Sequence, residues 1–176
     1  MAALVIVDMQ GNFSDAANEC VAQVIKLAQK AMRLRSTIVL VELTASIHGK
    51  TMFQIKEAVD GYKKMILVEK DEQDGSRQVQ NAFSETKIGR LTKLDKIRVC
   101  GVYANHCVKS TAQGLAEKYP KSQVIIHYEA TCGSSQKQQA FDHIDWNWLN
   151  YNKPENLYFS KNNRVFHYKN VLKKVS

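Results

Sequence analysis

Residues Ala2 to Val7 form an unbroken apolar run that stops at Asp8, the pattern of a strand buried on both faces. From Asp15 to Arg35 the spacing changes. Cys20, Val24, Leu27, Ala31 and Leu34 fall on one stripe, with Lys26, Lys30 and Arg33 off it, which predicts an amphipathic helix. Thr37 to Leu43 reads as a second buried strand, Ala45 to Lys50 as the loop at its end, and Met52 to Val59 as a short helix. Lys64 to Val68 is a third strand, followed by the polar loop Glu69 to Ser76, in which Ser76 is placed to cap the next helix. Leu91 to Lys96 leads into a fourth strand, Ile97 to Val102. Asn105 stands at an N-cap position before a helix whose inward side carries Cys107, Val108, Thr111, Ala112, Leu115 and Tyr119, and Pro120 stops that helix. Gln123 to Tyr128 predicts a fifth strand, Ser134 to Leu149 a helix, and Arg164 to Tyr168 a sixth strand. The run Glu155 to Ser160 looks like an incomplete protease tag, but it is internal and is taken as native.

Strands alternating with helices in this order predict an α/β fold with an open, mostly parallel, Rossmann-like sheet, its site beyond the C-terminal strand ends. No linker rich in Gly, Ser or Pro interrupts the 176 residues, so one domain, 1–176, is expected. The apolar runs are too short to span a bilayer, and the N-terminus lacks the basic start of a signal peptide, which together predict a cytoplasmic chain. Cys20, Cys100, Cys107 and Cys132 contain no CxxC pair, so reduced thiols are expected rather than a disulfide framework or zinc cage.

Charge changes the picture little. Twenty-five basic against 17 acidic residues give +8, and Lys161, Arg164, Lys169, Lys173 and Lys174 crowd the acid-free last sixteen positions. This reads as a solvated basic tail, since no nucleic-acid module or aromatic platform accompanies it. The expected partner is a small-molecule substrate, with no nucleic acid and no membrane.

Three residues at strand ends carry the candidate chemistry. Cys107 opens the helix after strand four, where the helix dipole favours a thiolate and a turn begun by Gly101 offers free amides to an oxyanion. A lone cysteine on an apolar stripe can equally be a small buried hydrophobe. Asp8 ends a buried strand and needs a positive partner or donors. Lys70 can supply that charge, although between Glu69 and Asp71 it reads by itself as a solvated loop lysine. His106 adjoins Cys107 but points about 100° away on a helix, so it is not its base. His48, His127 and His143 show no metal-ligand spacing, glycine-rich phosphate loops are absent, and no metal or cofactor is expected.

Taken together, the segment Leu4 to Phe13 with its DxQxxF opening, Val68-Glu69-Lys70, and Val99 to Ala112 with its glycine-to-cysteine turn and CVxxTA run resemble the isochorismatase-like cysteine hydrolases. This superfamily includes nicotinamidases, carbamoylsarcosine amidases and isochorismatases. The resemblance implies a three-layer α/β/α fold and an Asp8, Lys70, Cys107 triad. It also implies a cis peptide between Val102 and Tyr103, which brings the Tyr103 and Cys107 amides together as an oxyanion hole. Phe13 and Tyr103 are expected to line the substrate pocket, a core role being equally natural for Phe13. Homo-oligomers are common in the superfamily. The metal-binding Asp-x-His of nicotinamidases is replaced here by Ser46-Ile47-His48, and Glu129 stands where an aspartate is commoner.

The implied activity is hydrolysis of a small non-peptide amide through a Cys107 thioester. Its alternatives are an isochorismatase-type vinyl-ether hydrolase and a non-catalytic interaction protein of the same fold.

Overall fold

The computed structural model describes residues 2–85, 94–133 and 155–167. Seven strands form one sheet: β1 (Ala2–Val7), β2 (Thr37–Leu43), β3 (Met65–Lys70), β4 (Lys96–Val102), β5 (Gln123–Cys132), β6 (Leu157–Lys161) and β7 (Arg164–His167). Their order is β3-β2-β1-β4-β5-β6-β7, parallel except for the antiparallel β6–β7 pair. The chain runs outward in one direction from β1 to β3, then crosses back to β4 and runs outward in the other. The switch point therefore lies between β1 and β4, where an open α/β sheet has a crevice beyond its strand ends.

Alternation along the strands sorts the side chains into two cores. Leu4 and Ile6 of β1 face α1 (Ser14–Arg33) and α3 (Phe53–Ala58), packing with Ala17, Cys20, Val24, Ala28 and Ile55. Ala3, Val5 and Val7 face α4 (Ser76–Glu85) and α5 (Lys109–Lys118), packing with Val79, Phe83, Ala112 and Leu115. This is a three-layer α/β/α arrangement. Each fully buried Val, Leu or Ile contributes about 1.5–3 kcal/mol, so both faces of β1 are needed to hold the layers together.

Several elements differ from the sequence reading. Ala45–His48 is a short helix, α2, rather than loop. β3 runs on to Lys70 and β5 to Cys132. β6 was not expected; it pairs with β5 and continues through Asn162 and Asn163, both at positive φ as a two-residue hairpin turn requires, into β7. Leu34 falls outside α1 and is exposed, because the helix ends at Arg33. Asp74 rather than Ser76 caps α4: its Oδ1 accepts the Ser76 amide at 2.8 Å and its Oδ2 the Ser76 hydroxyl at 2.9 Å. The expected helix over 134–149 and the basic residues Lys169, Lys173 and Lys174 lie outside the described residues. No helix among the described residues is long and apolar enough to cross a membrane.

Candidate active site

Asp8 leaves β1 with a φ of 51°, in the left-handed region that aspartate tolerates better than most residues. Its amide donates to Val41 O at 2.9 Å, which ties this turn to β2, and its carboxylate is buried at the switch point. Across the crevice, β4 ends in a tight approach to β1. A Cβ on Gly101, whose φ is 121°, would lie 2.0 Å from Val7 O, so only glycine fits there. The Val102–Tyr103 peptide is cis. Tyr103 then accepts the His106 and Val108 amides at 3.1 and 3.2 Å, and the five-residue π turn Ala104–Val108 leads into α5. Asn105 does not cap this turn. It lies inside it, with Oδ1 buried and unpartnered. Cys107 is buried in the same turn, whereas His106 is exposed.

Lys70 comes from two strands away. Strands spaced roughly 4.8 Å apart put β3 about 10 Å from β1, a gap only a long side chain closes. Lys70 is not the solvated loop residue that its acidic neighbours suggested: it is 2% exposed. Its three donors are all used, on Asp8 Oδ2 at 3.0 Å, Glu72 O at 2.9 Å and Gln73 O at 3.2 Å. The loop that supplies those carbonyls is fixed by Thr111, one helical turn beyond Cys107. The Thr111 hydroxyl accepts the Gly75 amide at 2.9 Å and donates to Gln73 O at 3.5 Å. The π turn and the helix it leads into thus carry the thiol and, four residues on, the residue that registers the lysine loop.

The three groups meet. Cys107 lies close enough to Asp8 and Lys70 for both to act on its thiol by charge, while Asp8 Oδ1, the carboxylate oxygen not used by Lys70, is buried without a hydrogen-bond partner. Such contacts are often loose before substrate binds. Burial raises the Asp8 carboxyl above its ordinary value, against the opposing pull of Lys70, the nearby Cys107 thiol and His48. Burial, and then the Asp8 charge, push the Cys107 thiol up to about 11. The expected dipole-stabilised thiolate is therefore corrected: desolvation and the carboxylate outweigh Lys70, and the resting sulfur is a thiol.

Phe13 and Tyr103 are half-buried and pack edge to face at 5.5 Å. Burial, then Asp15 and Cys107, raise the Tyr103 hydroxyl, which sets Asp15 near this wall. His48, weighed in the sequence only as a metal ligand, stacks on Phe13 at 5.1 Å and reaches Asp8 by charge. Both ends of its helix, α2, are held by buried Gln10, whose amide nitrogen donates to Leu43 O at 3.0 Å and to Gly49 O, and whose oxygen accepts the Leu43 amide at 2.7 Å. Both signals were present in the sequence: Gln10 belongs to the DxQxxF run, and His48 follows the end of β2. Among the described residues, no group of three or more His, Cys, Asp or Glu converges as a metal site.

Solved structures share this fold. The chain matches a MAR1 ribonuclease from Caenorhabditis elegans with a TM-score of 0.64 at 18% identity, covering 82% of this chain and 72% of that one. Nicotinamidase/pyrazinamidase PncA from Bacillus subtilis matches with a TM-score of 0.64 at 14% identity, over 86% and 96%. N-carbamoylsarcosine amidase from Thermoplasma acidophilum matches with a TM-score of 0.60 at 17% identity, over 86% and 92%. At these identities the likeness is one of fold. No curated protein matches the chain in sequence. The Isochorismatase domain matches residues 2–148, and the chain belongs to that family.

Proposed function

We propose that the protein is a cysteine hydrolase of a small, non-peptide amide, with Cys107 as nucleophile, Asp8 as its base and Lys70 as the charge that holds Asp8 ionised. The observation that carries this reading is the buried Lys70–Asp8 pair at 3.0 Å with the Cys107 thiol against it. Because the sulfur rests as a thiol, its proton passes to Asp8 as sulfur attacks the carbonyl carbon, so base catalysis and bond formation occur together. The Tyr103 and Cys107 amides are the donors assigned to the tetrahedral oxyanion. Asp8, now protonated, gives its proton to the departing nitrogen, leaving a thioester. Water deprotonated by Asp8 then releases the acid. Phe13, Tyr103 and His48 form the aromatic wall that receives the substrate's body.

The elevated Asp8 also favours a second reading, since a carboxyl raised by burial is a better proton donor at neutral pH: protonation of a vinyl ether, with no thioester. Cys107→Ala separates the two. Amide hydrolysis requires that ammonia release from a panel of small primary amides fall to background in a variant that keeps its circular dichroism and melting cooperativity. A covalent substrate adduct on the wild-type chain, read by intact mass, supports the thioester. Near-normal turnover in Cys107→Ala removes it.

A further inference from the structure

A second polar cavity, of about 490 Å³, lies between α1 and the β4–β5–β6 part of the sheet and shares no residue with the Asp8, Lys70 and Cys107 cluster. Lys26, Lys30 and Arg33, spaced four and three residues apart, line it along one face of α1 and are exposed. Arg98 of β4 and His127 of β5 sit deeper, both half-buried. None of these four cations has a carboxylate partner among the described residues. Glu129, the one acid in the lining, accepts the Asn162 amide of the β6–β7 turn.

One feature inside the cavity calls for an incoming group. A half-buried guanidinium without a counter-ion is costly, and an anion relieves it. The His127 Nε2 atom is buried with no hydrogen-bond partner. Burial, with Arg98 and Lys30 nearby and only Glu129 opposing, lowers His127 to about 4, so its ring is a neutral hydrogen-bonding group at pH 7. Gln23, Ser160, Asn162 and Asn163 add amide and hydroxyl groups, while Leu27 and Ala130 supply an apolar surface.

We propose that this cavity binds a small phosphate monoester on a compact polar body, with Arg98 and Lys30 holding the phosphate and the asparagine-rich turn facing the organic part. Arginine suits the two-oxygen face of a phosphate. The recessed position of Arg98 and His127 selects a thin ligand that enters the cavity, whereas a nucleic-acid backbone laid on the surface meets only Lys26, Lys30 and Arg33.

The test is isothermal titration of the full chain with ribose 5-phosphate, inorganic phosphate and ribose at constant ionic strength, beside a uridine 20-mer. The proposal expects saturable binding of ribose 5-phosphate, weaker binding of phosphate and none of ribose. It expects Arg98→Gln to weaken ribose 5-phosphate at least tenfold and Lys30→Gln about threefold or more, with Lys121→Gln, outside the cavity, unchanged. Each variant is first checked by its melting curve, and Lys30→Gln, at an exposed helix position, carries the test if Arg98→Gln does not fold. No saturable binding by any phosphate probe overturns the proposal, as does ribose 5-phosphate binding that Lys30→Gln and a folded Arg98→Gln leave intact. Tight 20-mer binding that depends on Lys26, Lys30 and Arg33 but not on Arg98, without ribose 5-phosphate binding, assigns the patch to nucleic acid instead.

Discussion

Replacing Lys70 with methionine keeps most of the length of the stem but removes the charge beside Asp8. The two charged groups are 3.0 Å apart, with side-chain exposures of 0% and 2%, so solvent screens them little. At an effective dielectric of 20, Coulomb's law gives roughly 5.5 kcal/mol for such a contact, and removing one partner of a buried pair costs about 3–5 kcal/mol in practice. Lys70→Met should therefore lose about 3–5 kcal/mol at pH 7 in urea denaturation. The sign of its pH dependence follows from Asp8. Burial already raises this carboxyl in the folded protein, and loss of Lys70 raises it further. A raised carboxyl contributes stability that is fully present below its unfolded value near 3.9 and is lost as pH climbs toward the folded value. The variant's deficit against wild type should thus be within about 1 kcal/mol at pH 4 and widen toward pH 7. Adding Asp8→Asn should flatten that dependence. A deficit that stays constant from pH 4 to pH 7 would mean that lost packing, not a buried ion pair, sets the cost, and the electrostatic account of the site would fail.

Three further outcomes follow from the same geometry. With Asp8 raised and Cys107 near 11, activity should rise with pH along a single limb whose midpoint lies above the ordinary carboxylate value; a limb centred at a free thiol's value, about 8.5, in the pH–kcat/KM profile would instead show a standing thiolate. Gly101→Ala sets a Cβ against the Val7 carbonyl at a φ of 121°, so its denaturation midpoint should fall by the equivalent of about 3 kcal/mol or more, and a neutral result would show that β1 and β4 can separate. Thr111→Val leaves the buried Gly75 amide without its acceptor, costing about 1–3 kcal/mol in urea denaturation and lowering kcat through a misplaced Lys70; an unchanged kcat would show that the loop holds itself.

Most of the sheet was legible because parallel strands buried on both faces are written as continuous apolar runs, and β1 and β2 have the bounds those runs predict. β6 was missed for the converse reason. Leu157 to Lys161 is short and mixed, half of its character comes from pairing with β5 and β7, and pairing partners are not a local property. Asp8 and Cys107 could be singled out by their positions at strand ends, since an acid after a buried run and a thiol before a helix are local facts. Lys70 could not. Its neighbours Glu69 and Asp71 describe a solvated loop, and only the fold shows that β3 runs through it and turns the side chain beneath β2 toward Asp8. The thiol's charge state was misjudged in the same way, because helix position is visible in sequence whereas desolvation is a property of the packed site.

Burial raises both the proposed base and the proposed nucleophile, which at first sight disfavours catalysis twice. The site's net charge resolves this. At rest it holds an ammonium, a carboxylate and a thiol; after proton transfer it holds an ammonium, a carboxylic acid and a thiolate. The same one positive and one negative charge remain, moved by the distance between an oxygen and a sulfur that both feel the Lys70 charge. Desolvation therefore weighs on both sides of the transfer and largely cancels. What decides the step is the gap between donor and acceptor, and burial, which raises both, does not by itself widen it. Lys70 stabilises whichever partner is anionic, so it neither fixes the proton on sulfur nor removes it. In the proposed mechanism the sulfur stays protonated, and so protected from adventitious electrophiles and oxidants, until a carbonyl arrives to share the charge with the assigned backbone amides.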